Sequence, residues 1–449
     1  MAIDYEEASL IAYLVVCAPF LVWLSRTCVG YYAEESTPPY AYICLNVGFF
    51  CTFMVILLVP IDVAIVCALR ELGGDPIQHY RRDRGVLLAI YDFFYAIILL
   101  WANAVLCYME YYNTDGYFTS GSRAWSSLKR LVIDYIPFVL AGVPALGLIL
   151  GLGVCAPTSD GLNMFTKIAT NTAYETLLMF LIGFGLVEFP RLLWTNGDLP
   201  KLLKKQQIKA ATEFTSNLDA QMGLGKLVAS VLKTKEKLTS SDPVLKEAMS
   251  ILSSECPSEF RSSKLGEIAS DKDGNITIHT LSALRTKLNA AKSVYRMAQA
   301  RLETTQIGAY DLEDLVKAKE SNAKVIHWSL KNSESTAEEC KWLVKTRPSL
   351  YKGLAIFLAI ISLFSFLGVV GSMSEHTLPA SVYFHMVHSS AANPSVAGIT
   401  IAVWLQISYA IVVTVWALFQ LRSLGLELVP HRSTPTALSF GCRLIMGLS

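Results

Sequence analysis

Three carboxylates stand within long apolar runs of the chain: Asp62, Asp92 and Glu175. An ionised side chain at the centre of a bilayer costs on the order of 3 kcal/mol, so an acid that persists there either serves a ligand or ties helices together. With the amino terminus outside, Asp62 falls near the outer end of the second run. Asp92 then lies about two turns into the third and Glu175 about one turn into the fifth, all from the same side. A functional reading makes the three acids the floor of an outward-facing cavity for a proton, a cation or a basic ligand, with Pro60 kinking the helix beside Asp62. A structural reading has them capping helix ends or paired with Arg70, Arg81 or backbone amides. Asp134 and Glu188 complete the set of five acids in apolar surroundings.

Other reactive residue types form no catalytic pattern. No GxSxG, HExxH, phosphate loop or dinucleotide fingerprint occurs, and no nucleophile has an evident base, so an enzyme is the least favoured class. His376, His385 and His388 include the spacing HMVH, but no carboxylate or cysteine set accompanies them, so they read as solvated or interfacial histidines and not as metal ligands. DKDGNIT places Asp271, Asp273 and Asn275 at alternate positions like a calcium loop. Ile276 stands where the turn glycine belongs and Ser282 where the bidentate glutamate belongs, so the stretch reads as a turn. The ten cysteines show no paired spacing, and Cys17, Cys44, Cys51, Cys67, Cys107 and Cys442 read as small apolar packing residues. No cofactor is implied.

The elements that must position these residues are membrane helices. The 449 residues are 53% hydrophobic and 17% charged, outside the soluble range. Apolar segments at 8–25, 41–69, 86–109, 131–155, 172–194, 350–372 and 398–420 are each long enough for roughly 30 Å of hydrocarbon, and an eighth begins near Thr436. The start, MAIDYEE, is acidic, which places the amino terminus outside. Five crossings then put residues 195–348 in the cytoplasm. That block is flanked by Arg191, Lys201, Lys204 and Lys205 on entry and by Lys341, Lys345, Arg347 and Lys352 on return, as the positive-inside bias asks. The four arginines of segment 70–85 run against this orientation. The predicted fold is all-α: a polytopic membrane protein of about eight crossings, with a membrane region at 1–194, a helical hairpin or coiled coil at 195–348 and a second membrane region at 349–449. The membrane that holds it is not encoded.

Within the polar block, Leu281, Leu284, Leu288, Ala291, Tyr295, Ala298 and Leu302 recur in alternating steps of three and four, a seam that asks for a partner helix. Phe214, Leu218, Val228, Val231 and Leu232 could supply it in an antiparallel hairpin rising from the membrane, and the seam is a candidate surface for a cytoplasmic or membrane protein partner. With 24 Lys/Arg against 19 Asp/Glu in the block, nothing favours nucleic acid. Membrane lipids are the other expected partner. In the fourth segment, Gly147 and Gly151 stand four apart and predict a close helix–helix contact.

Two stretches carry a resemblance. VPIDV at 59–63, with Pro60 and Asp62, resembles the Pro-Val-Asp-Ile element of the limb-region membrane protein family. GFGLVEFPRLLW at 183–194 is similar to that family's Gly-x-Gly-Leu-Val-Glu-x-Pro-Arg-x-Leu-Trp exit from the fifth crossing, matched here by Gly183, Gly185, Glu188, Pro190, Arg191 and Trp194. The domain-containing-2 branch is nearest by the exit motif. Read physically, Trp194 suits the headgroup level, Arg191 can reach the interface and pair with Glu188 three residues earlier, and Pro190 would kink the exit. The family pattern usually has nine crossings and runs on beyond Arg443, where this chain ends in IMGLS. The resemblance implies a receptor-like, trafficking or scaffold protein with a cytoplasmic arm and no transferable catalytic centre. Two alternatives stay open: an accessory structural subunit of a membrane complex, and a transporter built on the outer acids.

Overall fold

The computed structural model describes residues 5–35, 37–71, 85–151, 159–238, 242–260, 276–331, 333–373, 396–420 and 428–448. Among them every regular element is helical, and the only strand-like features are two isolated bridges, Ala33 with Ser433 and His327 with Glu334. Before the polar block come α1 (Tyr5–Tyr32), α2 (Pro39–Glu71), α3 (Gly85–Leu100), α4 (Leu106–Thr114), α5 (Ser120–Gly151) and α6 (Ser159–Asn196). The polar block holds α7 (Leu199–Lys237), α8 (Pro243–Ser254), α9 (Ile278–Glu320) and the short α10 (Ala337–Lys341). Then come α11 (Arg347–Met373), α12 (Val396–Gln420) and α13 (Pro435–Leu448). Five stretches of the described residues are helical, long and apolar enough to cross a bilayer: Val15–Tyr32, Pro39–Val59, Ala89–Thr114, Glu175–Asn196 and Ala337–Leu367. A shorter apolar helix covers Ile407–Leu418.

A π-turn, Trp101–Val105, joins α3 to α4 without interrupting the helical path. Such a turn displaces carbonyls from the regular ladder, and neighbouring side chains serve the carbonyls around it. Tyr135 Oη donates to the Asn103 carbonyl at 2.7 Å, Ser439 Oγ to the Leu106 carbonyl at 3.0 Å, and Trp101 Nε1 donates to the Cys44 carbonyl at 2.9 Å. These bonds tie α5, α13 and α2 to one place. The core there is formed by Val29, Leu45, Phe49, Cys51, Ile98, Leu106, Met109, Leu438, Cys442 and Met446. The final helix is therefore a wedge between α2 and α4, and Arg443 anchors it to Glu110 at 3.2 Å. Cys51, Cys107 and Cys442 are buried and Cys17 and Cys44 half-buried, as packing residues should be, while the Cys67 side chain lies outside the described set.

In the polar block, α7 and α9 run antiparallel. Gln206 reaches the Thr305 carbonyl at one end, and Leu224, Val228 and Val231 share a core with Leu281, Leu284 and Leu288 at the other. Burial of each such leucine is worth about 1.5–3 kcal/mol. The predicted seam is thus filled within the chain, and Leu281, Leu284 and Leu288 are not available to a partner; Tyr295 is half-buried and stacks edge-on against Phe260, and Leu302 is half-buried. Between α7 and α9 stands α8, started by Asp242, which accepts from the Val244 amide at 3.0 Å, with Pro243 in the first turn. Its Ala248, Met249 and Leu252 close the far end of the core. Thr277 caps α9 in a reciprocal box with Thr280, so residues from Ile278 onward, Ser282 included, are helical.

The hairpin does not rise from the membrane. Between His279 and Glu303, about 36 Å of helix by its rise, α9 lies along the loops that join the membrane helices. His279 bonds Tyr117, Thr286 accepts from the Gly116 amide at 2.9 Å, Arg296 approaches Glu34 at 3.8 Å, and Glu303 pairs with Arg432. Loop residues 33–35, 115–119 and 428–434 therefore lie at the hairpin's end of the helix bundle. At the root, Ile326 of the segment after α9 packs with Leu199, Leu315 and Val344, and Asp314 accepts from both the amide and the hydroxyl of Ser329.

Candidate functional site

The exit motif is the most densely used piece of the sequence. Helix α6 continues through Pro190 to Asn196, and the chain turns at Gly197. Gly197 is held there because a Cβ would sit 2.6 Å from Lys352 Cγ and 2.8 Å from the Pro348 carbonyl oxygen. Glu188 and Arg191 pair at 2.8 Å as their spacing predicts, with most of the arginine in the open. Trp194 lies half-exposed with the Lys352 ammonium 5.8 Å from its ring. A pair so exposed is worth little: Glu188→Gln should change the stability of the purified chain by less than about 1 kcal/mol, measured by thermal unfolding in detergent.

The two motif glycines have different jobs. A Cβ on Gly185 would lie 2.3 Å from Val413 Cγ1 and 2.7 Å from the Val413 carbonyl oxygen, so α6 and α12 meet backbone to side chain at this position. Gly183 faces open space. On either side of Gly185, Phe184 and Phe189 bracket Trp416 of α12 at 6.1 and 5.5 Å between ring centroids.

Below this contact opens a cavity of about 990 Å³, bounded by α6, α7, α9 and α12. Its membrane end is walled by Phe184, Leu192 and Trp416, and its hairpin end carries Arg191, Lys205, Lys209 and Arg301 with Glu188 and Glu213. The hairpin's own polarity changes here. Counting back from Val231, Val228 and Leu224 in steps of three and four, the face turned toward α9 continues through Asn217 and Glu213, the latter only 3% exposed. Phe214 and Leu218, predicted as seam residues, are 50% and 39% exposed instead, in line with Met222 at 58%. Polar groups inside and an apolar stripe outside is the reverse of an ordinary amphipathic helix.

Asp92 on α3 and Glu175 on α6 are both exposed, and neither lines the cavity at the exit motif. Asp62 and Pro60 lie in α2 with side chains outside the described set. Asp134 is a structural tie: it accepts the Tyr111 hydroxyl, over whose ring Arg130 stands at 5.3 Å. Gly147 has no neighbour within 4 Å of a Cβ position, so the predicted helix contact is absent at that residue, and the surroundings of Gly151 lie outside the described residues. The close approaches occur at Gly185 and at Gly48, where a Cβ would stand 2.7 Å from Cys442 Sγ. The loop histidines 376, 385 and 388 and residues 261–275 also fall outside the described set.

The sequence missed three things here. Lys205 stands in the sequence only as part of the basic flank of the polar block, Lys209, Arg301 and Glu213 carry no signal of their own there, and Trp416 is one residue of an apolar span. The available signal was local: Glu213 and Asn217 fall on the heptad of Leu224 and Val228.

Comparison with known proteins places this geometry in context. The family model described as LMBR1-like membrane protein matches residues 8–449. LMBR1 domain-containing protein 2 homolog A of Dictyostelium discoideum is 24% identical over 92% of this chain and 62% of its own length. The G-protein coupled receptor-associated proteins LMBRD2 of Xenopus laevis and Homo sapiens are 30% and 29% identical over 43% of this chain and 29% and 30% of their own lengths. The chain thus spans less than two thirds of these relatives. No solved structure matches.

Proposed function

The chain belongs to the LMBR1-like membrane protein family, and from that premise we propose that it is a non-catalytic, multi-pass membrane scaffold that associates with a G-protein-coupled receptor. The LMBRD2 relatives are G-protein coupled receptor-associated proteins, which supports a receptor as the partner. In this reading the amino terminus is outside and residues 195–348 are cytoplasmic, the side favoured by the basic residues at both feet of the hairpin.

The observation that carries the proposal is the outward stripe of Phe214, Leu218 and Met222, spaced i, i+4, i+8 on α7. Exposed apolar residues aligned on one face mark a docking surface for an amphipathic helix or a loop of a partner. The seam at Leu281, Leu284 and Leu288 cannot play that part because α7 and α8 already cover it.

Replacing Phe214, Leu218 and Met222 together with serine should leave folding nearly intact, within about 0.5 kcal/mol per site, since none is buried. The same variant should lose a co-expressed receptor that the parent chain retains in a mild-detergent pull-down. Deletion of residues 200–345 should lose it as well. Retention of receptor by the triple variant at the parent's stoichiometry would refute the docking surface.

A further inference from the structure

We propose that the cavity at the foot of the hairpin is a binding site for the phosphate-bearing headgroup of an anionic membrane lipid, entered from the leaflet on the hairpin's side. The proposal rests on α6 and α12 lying in the membrane and does not depend on receptor association.

Charge is the first argument. Arg191 of α6, Lys205 and Lys209 of α7 and Arg301 of α9 line one space against the two acids Glu188 and Glu213, and Glu188 is already engaged by Arg191 at 2.8 Å. Three separate helices converge these cations, so the excess positive potential belongs to the cavity and not to a single helix face. Basic pockets where membrane helices meet the headgroup layer favour phosphorylated and other anionic lipids.

Polarity along the cavity is the second. The opposite end is walled by Phe184 and Trp416, whose rings lie parallel at 6.1 Å on helices of the membrane bundle. A soluble anion would use the cationic end and leave the aromatic wall idle. A wholly apolar ligand would use the aromatic wall and leave the cationic end idle. An amphiphile with its phosphate toward Lys205 and Lys209 and its glycerol and upper chains toward Phe184 and Trp416 satisfies both ends.

Depth and size agree. Trp194, beside Lys352, marks the headgroup level on the same helix that supplies Arg191, and amphipathic rings concentrate at that level. A volume of about 990 Å³ accommodates a sugar-phosphate headgroup together with its glycerol. Glu213, only 3% exposed, lines the cavity beside the cations and fixes a polar floor where core packing would place an apolar residue.

The test is native mass spectrometry of the purified full chain titrated with a phosphatidylinositol phosphate and, separately, with phosphatidylcholine. The parent should bind the anionic lipid selectively. Lys205→Gln with Lys209→Gln should weaken that binding roughly 10- to 30-fold, as expected for two basic residues at a lipid phosphate. Lys226→Gln with Lys246→Gln removes the same charge from exposed positions remote from the cavity and should change nothing. Trp416→Ala should weaken lipid binding as well, which a simple phosphate site would not show. Inorganic phosphate and a soluble inositol phosphate serve as competitors. Their failure to displace the lipid at equal concentration supports the lipid assignment, and equal displacement overturns it in favour of a soluble anion. Equal binding of phosphatidylcholine, or an unaltered Lys205/Lys209 variant, also overturns the proposal. A chain that binds lipid but no receptor would sink only the scaffold reading.

Discussion

Alanine at Gly185 is expected to lower the thermal stability of the protein by about 2 kcal/mol, the range seen when an extra methyl is forced into a closed contact. Alanine at Gly183 is expected to leave it unchanged or raise it by up to about 1 kcal/mol, the helix-propensity gain. The two substitutions are chemically identical and two residues apart. They differ in what the new Cβ meets: open space at Gly183, and at Gly185 a branched side chain at 2.3 Å and a main-chain carbonyl at 2.7 Å. Neither obstacle can swing aside, since the valine is pinned at its Cβ and the carbonyl belongs to α12. Relief must come from moving the helices apart, and that movement separates Phe184 and Phe189 from Trp416. Val413→Ala should therefore rescue Gly185→Ala only in part, because it removes the nearer obstacle and leaves the carbonyl. Melting curves of the four variants in one detergent check the prediction. Equal stability of the two single glycine variants would show that α6 and α12 do not meet at this residue.

The same pair of glycines shows how far the sequence could be read. Long apolar runs report composition, and composition alone placed the membrane helices. The heptad from Leu281 to Leu302 reports periodicity, and it correctly asked for an antiparallel helix. Which residues face that helix was harder. Phe214 and Leu218 are apolar and were assigned inward, yet the register set by Leu224, Val228 and Val231 turns Glu213 and Asn217 inward. A local rule fails where a polar residue takes the core position, and such failures tend to mark function. Small-residue spacing likewise says that a face is thin but not what approaches it, so Gly147 and Gly151 were favoured over Gly185 and Gly48. The cavity was not legible at all. Its walls come from Phe184, Lys205, Arg301 and Trp416, residues brought together only by the packing of four helices.

Arg285 is expected to be the most costly side chain to remove from the hairpin, with Arg285→Ala destabilising the chain by on the order of 3 kcal/mol. Its guanidinium forks onto Glu255, with Nε 2.9 Å from Oε2 and Nη2 on the other oxygen. Nη1 donates to the Tyr117 carbonyl at 3.1 Å, and the plane covers the Phe118 ring at 5.0 Å. One side chain thus joins α9, the end of α8 and the loop between α4 and α5. Side-chain exposure of 12% for the arginine and 27% for the glutamate keeps most water away, unlike the open Glu188–Arg191 pair. Truncation leaves the Glu255 carboxylate without its guanidinium donors and the Tyr117 carbonyl with the Arg123 guanidinium, at 3.2 Å, in place of two. Burial next door adds to the sensitivity: it pushes the Lys292 ammonium below its ordinary value, with Glu255 acting in the opposite sense. Arg285→Lys should recover less than half of the loss, since a single ammonium cannot hold both carboxylate oxygens and reach Tyr117. The weakened place is equally specific. Gly116 admits no side chain against the Ser282 carbonyl, so the loop and α9 dock as surfaces that fit closely or not at all. Hydrogen exchange should therefore accelerate together in residues 115–119 and in the first turns of α9 when Arg285 is lost, while amides near Leu315 at the root keep their protection. Uniform acceleration along α9 would mean that the hairpin unfolds as one unit, and that Arg285 is not a local clasp to the membrane loops.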